Sequence, residues 1–202
     1  MDLLIATQNR GKLREYRAIV ANLDIDVLSL EDVGLGKLDV EETGETFEAN
    51  AELKAAAYAQ ASGRLALADD SGLCVDALDG APGVYSARYA GEGATDADRR
   101  AKLLGALKDV PDEQRTAYFM CVIVVFNPEK QTPYVSLGKF TGRIAHEESD
   151  GQYGFGYDPI FIPDGYDVTL ADIEPDEKNR ISHRALAAQQ MRPVLERLAK
   201  GV

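Results

Sequence analysis

In Leu65-Ala66-Leu67-Ala68-Asp69-Asp70-Ser71-Gly72, two adjacent carboxylates follow a short apolar run. The apolar run predicts a buried strand that ends at the carboxylates. Carboxylates at a buried strand end are costly to desolvate unless positive charge compensates them, and a divalent cation with oxygen ligands supplies such charge. Because successive side chains of a strand point to opposite faces, Asp69 and Asp70 share one ion only if the chain turns there, which Gly72 favours. The alternative is a surface turn with solvated carboxylates.

The composition is that of an ordered globular protein, with 45% hydrophobic and 28% charged residues in a chain of 202. The formal net charge of -12 disfavours nucleic-acid polymers and anionic membranes as partners, because both would be repelled. The longest apolar run, residues 118–126, is too short to span a bilayer. With no signal peptide recognised, we expect a cytoplasmic protein. Cys74 and Cys121 lie in apolar runs, which predicts small core residues rather than a disulfide pair or a metal site.

A polar loop, Thr7-Gln8-Asn9-Arg10-Gly11-Lys12, lies between a predicted strand at residues 2–6 and a helix with apolar residues spaced three and four apart. This order points backbone N–H groups and the positive end of the helix dipole at an anion, and Lys12 adds a charge. The loop is not a Walker A loop, because it has one glycine and Leu13 replaces the Ser or Thr that would hold Mg²⁺. A helix cap plus a solvated lysine is an equal alternative.

An acidic loop, Glu41-Glu42-Thr43-Gly44, precedes a second predicted helix. Thr46 is a suitable N-cap for this helix, which we expect over residues 47–62. Asn50 and Lys54 are four residues apart and therefore share one helix face. Lys54 is either a surface lysine or a phosphate contact. The acidic loop is expected to be solvated unless the fold brings it near the two central aspartates.

A glycine-rich segment with interleaved aromatic residues covers residues 151–159, and its Phe155 could stack on a flat ligand. The alternative is a tight aromatic turn. Further on, Ser182-His183-Arg184 begins the last predicted helix. Cations in a first helical turn are unfavourable against the dipole, so we expect an anion or a carbonyl-rich ligand nearby. Pro193 is predicted to kink or divide this last helix.

Together these clusters resemble the inosine triphosphate pyrophosphatase family, the Ham1-like pyrophosphatases of non-standard purine nucleoside triphosphates. The motifs that carry the resemblance are Thr7-x-Asn9-x-x-Lys12, Glu41-Glu42-Thr43-Gly44-x-Thr46-Phe47, Ala68-Asp69-Asp70-Ser71-Gly72, Phe155-Gly156-Tyr157-Asp158-Pro159 and Glu177-Lys178-Asn179-x-Ile181-Ser182-His183-Arg184. Each motif is weak by itself, but five in the same order form a specific match over essentially the whole chain.

The resemblance implies an α/β fold in which helices flank a mixed elongated sheet. It implies one domain over residues 1–202 with two lobes around a central cleft, and usually a homodimer. It also implies Mg²⁺-dependent hydrolysis of ITP, dITP or XTP to the monophosphate and pyrophosphate. By position, Glu42 and Asp70 would hold the metal with Asp69 close by, and Asp70 would be the catalytic base. The substrate-binding residues would be Thr7, Gln8, Asn9, Arg10, Gly11, Lys12, Lys54, Ser71, Phe155, Gly156, Tyr157, Asp158, Lys178, His183 and Arg184.

Selection among purine bases depends on hydrogen bonding. Hypoxanthine and xanthine present a 6-keto acceptor to the donors His183 and Arg184, whereas adenine presents an amino donor and would leave them unpaired. Two rivals remain: a related pyrophosphatase acting on other modified nucleotides, and a purine nucleotide-binding protein that does not cleave. Intact Glu42 and Asp70 argue against the second. A serine hydrolase built on Ser71 is disfavoured, because the glycine pattern of a nucleophile elbow is missing.

Overall fold

A computed structural model describes residues 1–200 of the chain. Its strands are β1 Asp2–Ile5, β2 Asp26–Leu28, β3 Ala66–Val75, β4 Thr116–Asn127, β5 Thr132–Ile144 and β6 Phe161–Pro163. Its α-helices are α1 Arg10–Val20, α2 Phe47–Ser62, α3 Asp96–Ala106, α4 Pro175–Ile181 and α5 His183–Ala199. Within residues 1–200, the helices are all too short or too polar to cross a bilayer.

The six strands form one sheet in the order β2-β1-β3-β4-β5-β6. Strand β1 is parallel to both β2 and β3, as expected when α1 and α2 provide the crossovers, whereas β5 and β6 are antiparallel. Parallel and antiparallel pairs therefore occur in the same sheet. The predicted α/β class with a mixed sheet flanked by helices is confirmed.

The chain divides into two compact units. Unit 1 comprises Met1–Asp70, Cys121–Gly138 and the chain from Arg184 onward, and unit 2 comprises Ser71–Met120 and Lys139–His183. The description as one domain with a central cleft stays a prediction. The two cysteines, Cys74 in unit 2 and Cys121 in unit 1, are free and buried, as predicted.

Unit 1 contains two apolar clusters, and the alternation of strand side chains separates them. Leu67 of β3 packs with Tyr16 of α1 and Met191 of α5 in the first cluster. Ala66 and Ala68 point the other way and pack with the small residues of α2 in the second cluster. This alternation determines which helix each aspartate of β3 meets.

The prediction that this strand ends at the two carboxylates is wrong, and β3 lacks the turn that Asp69 and Asp70 would need to share one ion. The strand runs without interruption from Ala66 to Val75. Its second half is apolar and buried, since Leu73 and Val75 belong to the core of unit 2. Both carboxylates have polar or charged partners, so the backbone need not leave the sheet to solvate them.

The last helix is not divided at Pro193, which corrects one of the two predicted outcomes. Helix α5 continues through this residue, although a proline removes one backbone N–H from a helix interior. Residues on both sides of it, Ala187, Met191 and Leu195, are buried in the same core of unit 1. Their burial stabilises the helix across the missing hydrogen bond. Thr46 is the N-cap of α2, as the sequence predicts, and Thr95 is the N-cap of α3.

Arg115 is a buried cation of unit 2. It is 2% exposed, and its guanidinium donates to the carbonyl oxygens of Leu107, Ile144 and Ala145 at 2.7, 2.8 and 2.7 Å. These bonds connect the end of α3 to the end of β5. A side chain without donors would leave all three carbonyls without this partner.

We therefore expect Arg115→Met to lower the free energy of unfolding by about 2–4 kcal/mol, because charged hydrogen bonds to buried carbonyls are lost. Thermal unfolding followed by circular dichroism measures the change. Arg143→Met on the exposed side of β5 is the matched control and should shift stability by less than about 0.5 kcal/mol. Equal stability of the two variants would contradict this role for Arg115.

Candidate active site

The loop before α1 forms a helix cap. Asn9 is the N-cap, and its Oδ1 accepts from the backbone N–H groups of Gly11 at 2.8 Å and Lys12 at 3.2 Å. The side chain of Thr7 in turn accepts from the Asn9 N–H at 3.2 Å. The cap that the sequence allowed is therefore confirmed, and Asn9 satisfies two of the N–H groups that point out of this helix end. Gln8 and Arg10 are exposed in the same loop.

Asp69 shares the strand face of Leu67 and lies among cations from α1 and α5. Its Oδ2 is 2.9 Å from Lys12 Nζ and 3.5 Å from Arg184 Nε, and its side chain is 1% exposed. Burial alone would raise the pKa of this carboxyl, but Lys12 and Arg184 outweigh burial and hold the pKa well below its usual range. Asp69 is therefore a fixed negative charge that orients two cations.

Glu15 of α1 is a second partner of Arg184, and the sequence analysis missed it. Arg184 Nη1 lies 2.9 Å from Glu15 Oε2, and the Arg184 side chain is 4% exposed. Burial would lower the pKa of the guanidinium, but Asp69 and Glu15 more than compensate and raise it. The anion expected beside the first turn of α5 is thus supplied by these carboxylates. One signal was present: Glu15 is three residues after Lys12 and so shares its helix face.

Asp70 points to the other face of β3 and meets α2. Its Oδ2 accepts from Asn50 Nδ2 at 3.1 Å, and its Oδ1 lies 3.9 Å from Lys54 Nζ. Burial raises the pKa of Asp70, and the nearby charge of Glu42 raises it further, while Lys54 opposes both. In contrast to Asp69, this carboxyl has a pKa above its usual range. The two neighbouring aspartates therefore differ in chemistry because their strand faces differ.

The acidic loop also reaches this face through Lys54. Glu42 Oε1 is 2.6 Å from Lys54 Nζ, which itself lies 3.9 Å from Asp70 Oδ1, so the fold brings this loop near a central aspartate. Burial would lower the pKa of Lys54, but Asp69, Asp70 and Glu42 together raise it. The predicted shared face of Asn50 and Lys54 is confirmed by their common neighbour Asp70.

Gly44 positions the amide of Asn50. Its N–H donates to Asn50 Oδ1 at 2.8 Å, which leaves the Nδ2 group of the same amide directed at Asp70. A Cβ at position 44 would lie 2.7 Å from both Ala49 Cβ and Asn50 Oδ1. Glycine is therefore required at this position by close approach.

The polar cluster of unit 1 is nearly balanced in charge. Glu15, Glu42, Asp69 and Asp70 contact Lys12, Lys54 and Arg184, so the carboxylates outnumber the cations by one. Within residues 1–200, no three or more His, Cys, Asp or Glu side chains are grouped as metal ligands. The cluster places Lys12 and Arg184 on one side of β3 and Lys54 on the other, where Glu42 and Asp70 converge on its ammonium.

Unit 2 holds the second group of predicted site residues. Asp158 Oδ2 accepts from the Phe155 N–H at 2.7 Å and from Lys178 Nζ at 2.6 Å. Lys178 Nζ also lies 5.0 Å from the centroid of the Phe155 ring, which is 38% exposed. A Cβ at position 154 would lie 2.3 Å from Asp158 Oδ2, so Gly154 is required there. The result is an ordered loop with a partly exposed aromatic ring.

Three other predicted residues of this group lie deeper. Tyr157 is 5% exposed, packs in the core of unit 2 and donates to the carbonyl of Ser86 at 2.9 Å. His183 is 4% exposed and stacks on Phe119 with ring centroids 4.8 Å apart. Ser71 is half-buried and directly follows Asp70 in β3. The roles of all three in substrate binding stay predictions.

Proteins of known name resemble this chain over nearly its whole length. A sequence profile described as the Ham1 family matches residues 3–194. The dITP/XTP pyrophosphatase of Bacillus subtilis (strain 168) is 49% identical over 195 residues, which are 96% of this chain and 97% of the relative. That of Oceanobacillus iheyensis is 48% identical over 189 residues, 94% and 95% of the two chains. A solved HAM1 protein from Coxiella burnetii superposes with a TM-score of 0.89 at 43% identity, covering 98% of this chain and 99% of that one.

Proposed function

This chain belongs to the Ham1 family, and we propose that it hydrolyses the non-standard purine nucleoside triphosphates dITP, XTP and ITP to the monophosphate and pyrophosphate. Relatives at 48–49% identity carry the name dITP/XTP pyrophosphatase. The observation that carries the proposal is the different setting of two adjacent carboxylates in β3. Asp69 is neutralised by Lys12 and Arg184, whereas Asp70 faces α2, where it accepts from Asn50 and shares Lys54 with Glu42.

The phosphates are proposed to bind at the unit 1 cluster. Lys12 stands one turn into α1, and Lys54 stands on α2 beside Asp70. These two ammonium groups supply point charges for phosphate oxygens. A triphosphate brings several negative charges to a cluster that already has one carboxylate in excess, so further positive charge is needed.

Mg²⁺ is the proposed source of that charge, and the residues present fit it. Glu42 and Asp70 converge on one ammonium, and their mutual repulsion helps to raise the pKa of Asp70. Mg²⁺ is usually held by one or two carboxylates together with waters and substrate phosphates, which suits this pair. When bound, it supplies neutralisation of the phosphoryl oxygens and a lower pKa for water. Asp69 as a further metal ligand stays a prediction. Because Asp69 is already paired with Lys12, Glu42 and Asp70 are the favoured ligands.

Asp70 is proposed to be the catalytic base, which accepts a proton from the water that attacks the α-phosphorus. An ordinary aspartate is a weak base, with a pKa of about 3.9. Burial and Glu42 raise the pKa of Asp70, but Mg²⁺ held by this carboxylate would lower it again, so Asp70 would orient the attacking water while the metal lowers the pKa of that water. Asn50 donates to Asp70 Oδ2 and fixes the carboxylate orientation. Water attack at this phosphorus releases pyrophosphate in one step.

The purine base is proposed to bind residues of the Phe155–Asp158 loop together with Lys178, His183 and Arg184. Phe155 offers a partly exposed ring for stacking, and Asp158 fixes that loop through Lys178 and the Phe155 N–H. Donors that meet a 6-keto group would be left unpaired by adenine, and sites of this kind discriminate by about 10⁴ to 10⁵. This supports selection against adenine, whereas guanine shares the 6-keto group and would have to be rejected through its 2-amino group.

We further propose a cytoplasmic homodimer. The family resemblance implies the dimer, and Val135 and Leu137 support it as exposed apolar residues on one side of β5, at 45% and 44% exposure. Single apolar residues on a surface are ordinary, but two on one strand face favour a covered surface. Light scattering coupled to gel filtration measures the mass directly, and a monomer at micromolar concentration would refute the dimer.

We expect the protein to release pyrophosphate, and no orthophosphate, from ITP, dITP and XTP in the presence of Mg²⁺, with ATP and GTP cleaved far more slowly. Removal of metal with EDTA should abolish turnover, because the negative charge of the phosphates is then uncompensated. Added Mg²⁺ should restore turnover. Separate assays for the two phosphate products measure the outcome. Tight nucleotide binding without product would favour the non-catalytic rival, and cleavage of other modified nucleotides alone would favour the related pyrophosphatase.

A further inference from the structure

Two side chains of α3 hold the backbone of Gly156 from both sides. The Gly156 N–H donates to Asp96 Oδ2 at 3.0 Å, and the Gly156 carbonyl accepts from Arg100 Nη1 at 2.8 Å. Asp96 and Arg100 are four residues apart, so they share one face of the helix. The backbone N–H and the carbonyl of Gly156 are thus both hydrogen-bonded to side chains from one turn of α3.

The two side chains are themselves held in place. Asp96 Oδ1 is 2.6 Å from Arg99 Nη2, and Arg100 Nη2 is 2.9 Å from Glu148 Oε2. Helix α3 begins with a capping box between Thr95 and Asp98, so the turn that carries Asp96 is fixed. Burial would raise the pKa of Asp96, but the bonds from Arg99 and from the Gly156 N–H outweigh it and lower the pKa. Asp96 therefore remains a charged acceptor at neutral pH.

The backbone of Gly156 is the part of the loop that α3 holds. Its φ of +62° belongs to the left-handed region, and the loop turns there between Phe155 and Asp158. Asp158 already ties the Phe155 N–H to Lys178 inside the loop. The contacts from Asp96 and Arg100 are an external anchor of the same turn, on a rigid helix.

We propose that Asp96 and Arg100 are positioning residues that preorganise the loop of residues 154–158 for the purine base, without touching the nucleotide themselves. The inference rests on the proposed function, because it assumes that this loop receives the base. A loop ordered before binding spares the ligand the cost of ordering it, so loss of the anchor weakens binding. The phosphate-binding residues of unit 1 are not part of this anchor, so phosphate-only ligands are unaffected.

The test is Arg100→Met, which keeps the length of the side chain and removes its donors. We expect the KM for ITP and the dissociation constant for inosine monophosphate to rise about tenfold, with kcat within about twofold. The inhibition constant of inorganic pyrophosphate should not change. Hydrogen exchange of the peptide covering residues 153–158 should quicken about tenfold, because the closed loop loses protection.

Two further variants keep the inference falsifiable. Asp96→Ala removes the other half of the anchor and should give the same split between KM and kcat, while Asp96→Asn, which keeps an acceptor for the Gly156 N–H, should recover most of the affinity. Arg192→Met is the matched control, since this arginine lies in an exposed pair with Glu196 on α5. It should behave like the native protein in every assay.

The outcomes separate this inference from the proposed function. Unchanged KM, unchanged monophosphate affinity or unchanged hydrogen exchange in a folded, active Arg100→Met protein would overturn the inference alone. An equal loss of pyrophosphate affinity would also overturn it, because the effect would then not be confined to the base. A native protein that neither cleaves ITP nor binds inosine monophosphate would refute the proposed function, and the inference with it.

Discussion

Asp70→Asn is expected to lower kcat for ITP by about a thousandfold or more, while the affinity for ITP changes by less than about tenfold. The amide keeps the size of the carboxylate and its contact with Asn50, which donates at 3.1 Å. It cannot accept the proton of the attacking water, and it is a poorer ligand for Mg²⁺ than a carboxylate. Chemistry is therefore lost far more than binding, which Lys12 and Lys54 still support.

Pyrophosphate release measures the first quantity, and calorimetric titration with ITP measures the second. Asp109→Asn is the matched control, because Asp109 is highly exposed and pairs only loosely with Lys108 at 3.7 Å. Native turnover in the Asp70→Asn protein would refute its assignment as the base. A loss of binding as large as the loss of turnover would instead indicate that Asp70 acts mainly in holding substrate and metal.

Arg184→Ala is expected to cause the largest combined loss of stability and selectivity. The guanidinium is 4% exposed and lies between Glu15 at 2.9 Å and Asp69 at 3.5 Å. Removing it leaves the buried Asp69 and the half-buried Glu15 without this cation, and breaking a buried ion pair typically costs about 3–5 kcal/mol. It also removes a proposed donor to the 6-keto group. We expect a lower Tm and either an increased ratio of ATP to ITP cleavage or no ITP cleavage at all.

Arg184→Lys and Arg192→Ala separate these effects. The lysine keeps the charge but not the paired geometry, so it should retain most of the stability and lose part of the selectivity. Arg192→Ala lies on the same helix in an exposed pair and should change stability by less than about 0.5 kcal/mol. An Arg184→Ala protein with native selectivity among purine triphosphates would show that this arginine has no part in reading the base.

Much of the fold followed from local patterns in the sequence. Thr46 marks the start of α2, and Gly63 ends it in the left-handed conformation with a φ of +65°. The longest apolar run, residues 118–126, lies within strand β4. Caps, breakers and apolar periodicity act over a few residues, so one sequence is enough to recognise them.

The errors came from partners that are distant in the chain. The end predicted for β3 followed from the cost of burying two carboxylates, with a bound cation as the expected compensation. The cations that allow it, Lys12 and Arg184, are 57 and 115 positions away from Asp69 by sequence number. Large sequence separation also explains why Glu15 and Asp96 were not predicted. Their partners are Arg184 and Gly156, respectively. Local propensity contains no information on such pairs.

The uninterrupted course of β3 also restricts insertions and deletions in this part of the chain. Because the side chains of a strand alternate with a period of two, inserting or deleting one codon between Ala66 and Asp69 would exchange the surroundings of the two aspartates. Asp70 would then face the guanidinium of Arg184, and its neighbour would face α2. Substitution of one apolar residue by another before Asp69 leaves this alternation intact, so the stretch can vary in its apolar residues but not in its length.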